Sequence, residues 1–225
     1  PYVYEEDTLY HSTYGVARMI RDGAAVSGDN FSYVENHDGQ TVLMLSDGMG
    51  SGNSACKESE MVLELMERFL EAGFTEEAAL RMLNAACVLQ DQEDSYSTVD
   101  VCVVDLYQGD VAFNKIGAAA AFIKRGEEIT CIPCANLPVG ADMQLQIESC
   151  QTHVSGGDYI ILMTDGVLEH MHVPSPEQTM CEILETLPSA NPNEMAKKIV
   201  DRVLLFTGGE VRDDMTVLVA GIWEK

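Results

Sequence analysis

Positive charge is scarce in this chain. Thirteen Lys and Arg stand against 37 Asp and Glu, a formal net charge of −24 at pH 7, and so acidic a body repels polyphosphate backbones and anionic bilayers. Nucleic acid is therefore not an expected partner. Long apolar runs are missing too: "GAAAAFI" and "YIILMT" fall well short of the roughly 18 residues that a membrane span needs. This segment is not expected to cross a bilayer. The seven cysteines are odd in number and lack the spacing of a disulfide framework, which points to reduced thiols in a cytoplasmic setting. "CIPC", from Cys131 to Cys134, has the form of a redox dithiol, but Pro138 and Gly140 follow too closely for the helix such a motif opens. Pro1 is preceded by neither an initiator Met nor a basic-then-apolar leader, so the chain reads as the C-terminal part of something longer.

What the sequence does contain is enough apolar material, 46% of 225 residues, for one sizeable core. No linker, internal repeat or low-complexity tract divides it, and residues 1–225 read as a single domain. "GVARMIRDGAAVSGDNFSYVE" suggests two short strands meeting near Asp29. After the turn "HDGQ", the run "TVLMLS" is apolar on both faces, as in a strand buried on both sides, and delivers Asp47 at its end. From Gly52 to about Ala72 the period changes: Met61, Leu65 and Phe69, widened by Val62, Met66 and Leu70, form the stripe of an amphipathic helix. A second helix starts after Thr75 with Glu76 and Glu77 in its first turn. Residues 98 to 133 read as four closely joined strands, which must be mostly antiparallel. "YIILMTD" is another strand, ending at Asp165. Ser175-Pro176-Glu177-Gln178 fits a capping box with Pro at the first helical position, and Asn191-Pro192-Asn193-Glu194 repeats the device. Met195, Ile199 and Val203 form the inner face of the second of these helices. A last strand, "MTVLVAGIW", follows Asp213 and Asp214. Grouped helices and antiparallel strands predict an α+β fold with helices packed outside sheets.

Four acidic positions stand at strand ends among small residues: Asp29 in "VSGDN", Asp47 in "MLSDGMG", Asp165 in "LMTDG", and Asp213 with Asp214 in "RDDMT". A single Asp-Gly at a strand end is ordinary turn chemistry. Four together would repel one another unless a cation offsets them. All are hard oxygen donors with no His or Cys cluster beside them, which suits Mg2+ or Mn2+ better than Zn2+. "HMH", His170 to His172, reads as a surface loop. Four carboxylates balance two divalent ions, and two ions sharing one water require a bridging acid. Asp47 in that position, with Gly48 presenting a bare carbonyl, explains why "LSDGMGSG" is so poor in side chains. A water held between such ions becomes a nucleophile near neutral pH.

In this order and spacing, "SGDN", "SDGMGSG", "TDG" and "RDDMT" resemble the bacterial metal-dependent serine phosphatases of the PPM family. With "YSTVDVCVVDL", "FIKRGEE" and "ANLPVG", nearly the whole chain is similar to the phosphatase domain of the sporulation stage II protein E (SpoIIE) group. The resemblance implies an αββα sandwich of two antiparallel sheets flanked by helical pairs, with a dinuclear Mn2+ or Mg2+ centre. It implies that Asp47 bridges, Gly48 gives its carbonyl, Asp29 serves one ion, and Asp165 with Asp213 or Asp214 serves the other. Asp47 and Asp165 are thereby the catalytic acids, and Arg18 is the candidate phosphate contact. The implied reaction is one-step hydrolysis of phosphoserine or phosphothreonine on a phosphorylated anti-sigma-factor antagonist, in sporulation control. A cytoplasmic position in a membrane-anchored protein, self-association as a homodimer, and a regulatory switch in the helix pair at residues 54 to 90 are implied as well. The alternative is a catalytically silent PPM-like module that binds a partner. An aspartyl-phosphate hydrolase of the haloacid dehalogenase type needs a D-x-D element, and Asp47 is followed by Gly48 and Met49 instead.

Overall fold

A computed structural model describes residues 7–36, 38–50, 52–89, 97–133, 138–141 and 147–225. Cys134, the second half of "CIPC", lies outside the described residues, as does Ser51 of the glycine-rich turn. Ten strands and five helices follow in the order β1 (Tyr10–Met19), β2 (Asp29–Glu35), β3 (Gln40–Asp47), α1 (Asn53–Glu71), α2 (Glu76–Leu89), β4 (Val99–Asp105), β5 (Asp110–Ile116), β6 (Ala121–Arg125), β7 (Glu128–Ile132), β8 (Glu148–His153), β9 (Tyr159–Met163), α3 (Asp165–Glu169), α4 (Pro176–Thr186), α5 (Pro192–Leu204) and β10 (Met215–Glu224). One five-stranded sheet has the order β1-β10-β9-β6-β7, the other β2-β3-β4-β5-β8, and the strand pairs within both are antiparallel.

The period-2 alternation of side chains sorts these strands into layers. On β9, Tyr159, Ile161 and Met163 face the helices α3, α4 and α5, while Ile160 and Leu162 face the other sheet. On β3, Val42 and Met44 pack under α1 and α2, while Leu43 and Leu45 meet the opposite sheet. Three apolar layers therefore run helix to sheet, sheet to sheet, and sheet to helix. This is an αββα sandwich, and it explains why the strands read as continuous apolar runs rather than alternating ones. The four strands expected between residues 98 and 133 are present as two hairpins, but β4 and β5 join one sheet and β6 and β7 the other.

Several local expectations need correction. The strands on either side of Asp29 do not pair: β1 is ten residues long and pairs along its length with β10, whereas β2 pairs with β3. The strand expected to reach Asp165 stops at Met163, and Asp165 opens the short α3. β8, "ESCQTH", went unrecognised because it carries no apolar alternation and pairs only with β5 at a sheet edge. The buried stripe of α1 is centred on Val62 and Met66 rather than on Met61 and Leu65. Asn191 caps α5 by accepting from the Asn193 amide at 2.9 Å, but the Ser175 side chain makes no capping bond, so the capping box at α4 is not formed. His170 is not on a surface loop: it is 3% exposed, and its Nε2 pairs with Thr207 Oγ1 at 2.5 Å.

Candidate metal centre

The sandwich brings four of the acids to one end of the inter-sheet layer. Asp29 and Asp47 are register partners at the ends of β2 and β3. Asp47 shares its face with Leu43 and Leu45, so both carboxyls lie at the rim of the sheet-to-sheet core. From the other sheet, Asp165 stands just after β9 and Asp213 just before β10, strands that are themselves paired. The charges of Asp29, Asp165 and Asp213 all bear on the Asp47 carboxyl. Burial first, and those carboxylates after it, push Asp47 up to about 10. Carboxylates gathered in a buried corner disfavour one another's charge.

Asp29 is 0% exposed. Its Oδ2 accepts hydrogen bonds from Thr164 Oγ1 at 3.0 Å and Thr216 Oγ1 at 2.6 Å, and its Oδ1 is buried without a hydrogen-bond partner. Burial raises it to about 6, against the two threonine hydroxyls and Arg18, which favour the charged form. A buried carboxylate oxygen with nothing to bind is costly unless a cation completes it. The backbone of Asp47 is also held: its amide donates to Thr98 Oγ1 at 3.0 Å, and its carbonyl accepts from Thr98 N and Ser97 Oγ, each at 2.8 Å.

Gly48 is buried, and its place is set by close approach. A Cβ there would lie 2.1 Å from the Ala55 carbonyl oxygen of α1, so only glycine lets the helix start this near the strand end. Gly166 repeats the device, since its Cβ would lie 2.1 Å from the Asp214 carbonyl oxygen. Each Asp-Gly pair thus couples an acid to tight backbone packing. α1 is tied to the same corner by Asn30 Nδ2, which donates to Cys56 O and Ser59 Oγ at 3.0 and 2.9 Å, while Ser59 Oγ donates to Gly28 O.

The doubled acid separates into two roles. Asp214 Oδ1 accepts from the Arg21 amide at 2.8 Å and Oδ2 from the Gly28 amide at 2.7 Å, so its carboxylate fastens the β1–β2 loop. Asp213 is exposed, and its Oδ1 accepts only from the neighbouring Asp214 amide, at 2.9 Å. Arg18 is exposed on β1, opposite Thr216 in register, with its guanidinium 5.6 Å over the Phe31 ring. Sequence reasoning missed Thr164, Thr216, Ser97 and Thr98. The threonines beside the acids in "MTDG" and "DDMT" were the available signal. Among the described residues, no three His, Cys, Asp or Glu side chains already stand as a ligand group. The chemistry of the donors nonetheless suits a hard divalent cation: all are carboxylate or carbonyl oxygens, one of them orphaned and buried.

Residues 37–223 match the family model described as stage II sporulation protein E (SpoIIE). The chain is 36% identical over 207 residues to stage II sporulation protein E of Priestia megaterium, covering 92% of this chain and 35% of that protein. It thus spans about a third of that relative's length. A solved structure of the SpoIIE PP2C phosphatase domain with a fragment of its regulatory domain, from Bacillus subtilis, superposes with a TM-score of 0.91 at 32% identity, covering 97% of this chain and 65% of that one. A second, of the phosphatase domain from the same organism, gives 0.78 at 31%, covering 98% and 96%. The catalytic domain of the serine/threonine phosphatase PstP in complex with two manganese ions shares the fold at 19% identity, with a TM-score of 0.72 over 96% of this chain and all, 100%, of that one. The family match, the identity and the shared fold agree, and the chain belongs to the stage II sporulation protein E (SpoIIE) family, as a PP2C-type phosphatase domain.

Proposed function

We propose that this domain hydrolyses phosphoserine, or phosphothreonine, on a protein substrate with the help of two divalent cations, Mn2+ or Mg2+. One observation carries the reading: Asp29 keeps a buried, unpartnered oxygen beside an Asp47 whose ionisation is suppressed by burial and its acidic neighbours. Divalent cations would offset the mutual repulsion of such a cluster. Asp47 is proposed as the bridging ligand with the Gly48 carbonyl beside it, Asp29 for one ion, Asp165 and Asp213 for the other. Asp213 is preferred to Asp214 because both oxygens of Asp214 are engaged by backbone amides. When bound, the cations supply an activated water and neutralise the phosphate that an acidic protein would repel. Arg18, exposed and with its charge acting on Asp29, is proposed to hold that phosphate in place.

As substrate class we propose a phosphorylated anti-sigma-factor antagonist. A more distant relative, phosphoserine phosphatase RsbU of Bacillus subtilis, 21% identical over 200 residues, supports phosphoserine chemistry. We further infer that residues 1–225 form one domain of a longer, membrane-anchored protein with this part in the cytoplasm, able to pair with a second copy, and that the helix pair at 54 to 90 acts as a regulatory switch. Among the described residues no helix is long and apolar enough to span a membrane. The silent-module alternative differs in one measurement. Asp165→Asn should abolish Mn2+-dependent hydrolysis of a phosphoserine protein, by at least about 100-fold, and a chelator should do the same to the wild type. Turnover that survives both would refute the metal reading.

A further inference from the structure

Asp29 belongs to one sheet, yet both groups that hold it belong to the other. Thr216 lies on β10 and Thr164 directly follows β9; both are buried, at 0% and 3% exposure. Thr164 Oγ1 accepts from the Thr216 amide at 3.0 Å, which fills its acceptor side and leaves its only hydrogen for Asp29 Oδ2. Thr216 Oγ1 sends its hydrogen to the same oxygen. Two donors converge on Oδ2 and none on Oδ1. That asymmetry fixes the carboxylate's rotation about Cβ–Cγ and keeps one oxygen free at the inter-sheet rim.

We propose that Thr216, with Thr164, is a positioning residue that presents Asp29 Oδ1 to a divalent cation at the Asp47 corner, so that metal uptake depends on a hydroxyl contributed by the opposite sheet. This rests on the metal reading given above. Hydrogen-bonding partners of metal ligands typically change affinity by about 10–100-fold when removed. β-Branching adds to the effect here, because threonine holds one rotamer more firmly than serine.

The test is calorimetric titration of the metal-free domain with Mn2+, on wild type, Thr216→Val, Thr216→Ser and Asp47→Asn. Thr216→Val is preferred to the corresponding change at Thr164, which would also orphan the buried Thr216 amide. Thr216→Val should weaken Mn2+ binding by about 10–100-fold while Thr216→Ser stays within about threefold. Phosphatase kcat at saturating Mn2+ should change much less than the Mn2+ concentration needed to reach it. If Thr216→Val does not fold, by circular dichroism of the metal-free protein, Thr216→Ala is compared in its place. Wild-type affinity in the variant lacking the hydroxyl overturns the positioning role and leaves the metal reading standing. Absence of Mn2+ uptake in the wild type, equal to that of Asp47→Asn, overturns both.

Discussion

At the scale of single residues, the acids of the candidate centre make a protein at odds with itself when metal is removed. Asp29 holds its proton more tightly folded than unfolded, about 6 against an ordinary 3.8, and Asp47 more tightly still, at about 10. The folded state therefore binds more protons than the unfolded one between these values, and stability must fall as pH rises through them. The chelated domain should be most stable near or below pH 4 as far as these groups are concerned, and should lose that advantage through pH 6 and beyond. Thermal melts of chelated wild type and Asp29→Asn between pH 4 and 7 report the effect of Asp29 together with its pull on Asp47, since distant groups cancel. The wild type should lose stability relative to the variant as pH rises, by about 2–3 kcal/mol, or roughly 4–12 °C in a domain this size. A flat difference would show that Asp29 is not strained. Asp47 and Asp165 were legible in the sequence because each is followed by glycine at the end of an apolar run, and Asp29 and Asp213 because they stand where strands begin. Their threonine holders were not, because a hydroxyl's role depends on which sheet it faces, and that is a tertiary fact.

Elements position these residues more than local propensity does. The β1–β2 loop is pinned at Arg21 and Gly28 by the two oxygens of Asp214, while Asp213 next to it turns its charge toward Asp47. Removing one acid or the other should give opposite phenotypes. Asp214→Ala should destabilise the domain by about 1–3 kcal/mol through the lost amide partners, read by urea unfolding. Asp213→Asn should leave unfolding nearly unchanged and weaken Mn2+ binding instead. Identical behaviour of the two variants would contradict the division of roles. The stripe of α5 and the Asn191 cap were readable from periodicity and helix-start chemistry, and α1 was readable as a helix although its buried face is centred on Val62 and Met66. β8 was not, since an edge strand such as "ESCQTH" owes its conformation to the β5 backbone it pairs with and not to side chains of its own. Asp165 was misjudged by two residues for a related reason: whether a chain leaving β9 continues as strand or turns into α3 is decided by the close approach of Gly166 to Asp214.

At the scale of the whole molecule, the largely apolar inter-sheet layer holds a buried ion pair. Asp100 on β4 and Lys115 on β5 face each other in register with 1% exposure each, on the same strand faces as Cys102 and Phe113. Burial pushes Asp100 up while Lys115 opposes it. Lys115→Met should therefore cost about 3–5 kcal/mol, and adding Asp100→Asn should recover part of that loss. Equal stability of the single and double variants in urea would mean the pair is uncoupled. The layered architecture was legible because strands buried on both faces betray themselves as unbroken apolar runs. Which hairpin joins which sheet was not, since that choice is made by the sandwich as a whole. One further consequence follows from β1 lying at a sheet edge against β10. Within this domain β1 is made long before β10, so it must wait unpartnered until the rest of the sandwich has been synthesised. Asp29 meets its Thr216 hydroxyl only on that final closure. A domain cut short before β10 lacks the hydroxyl that holds Asp29.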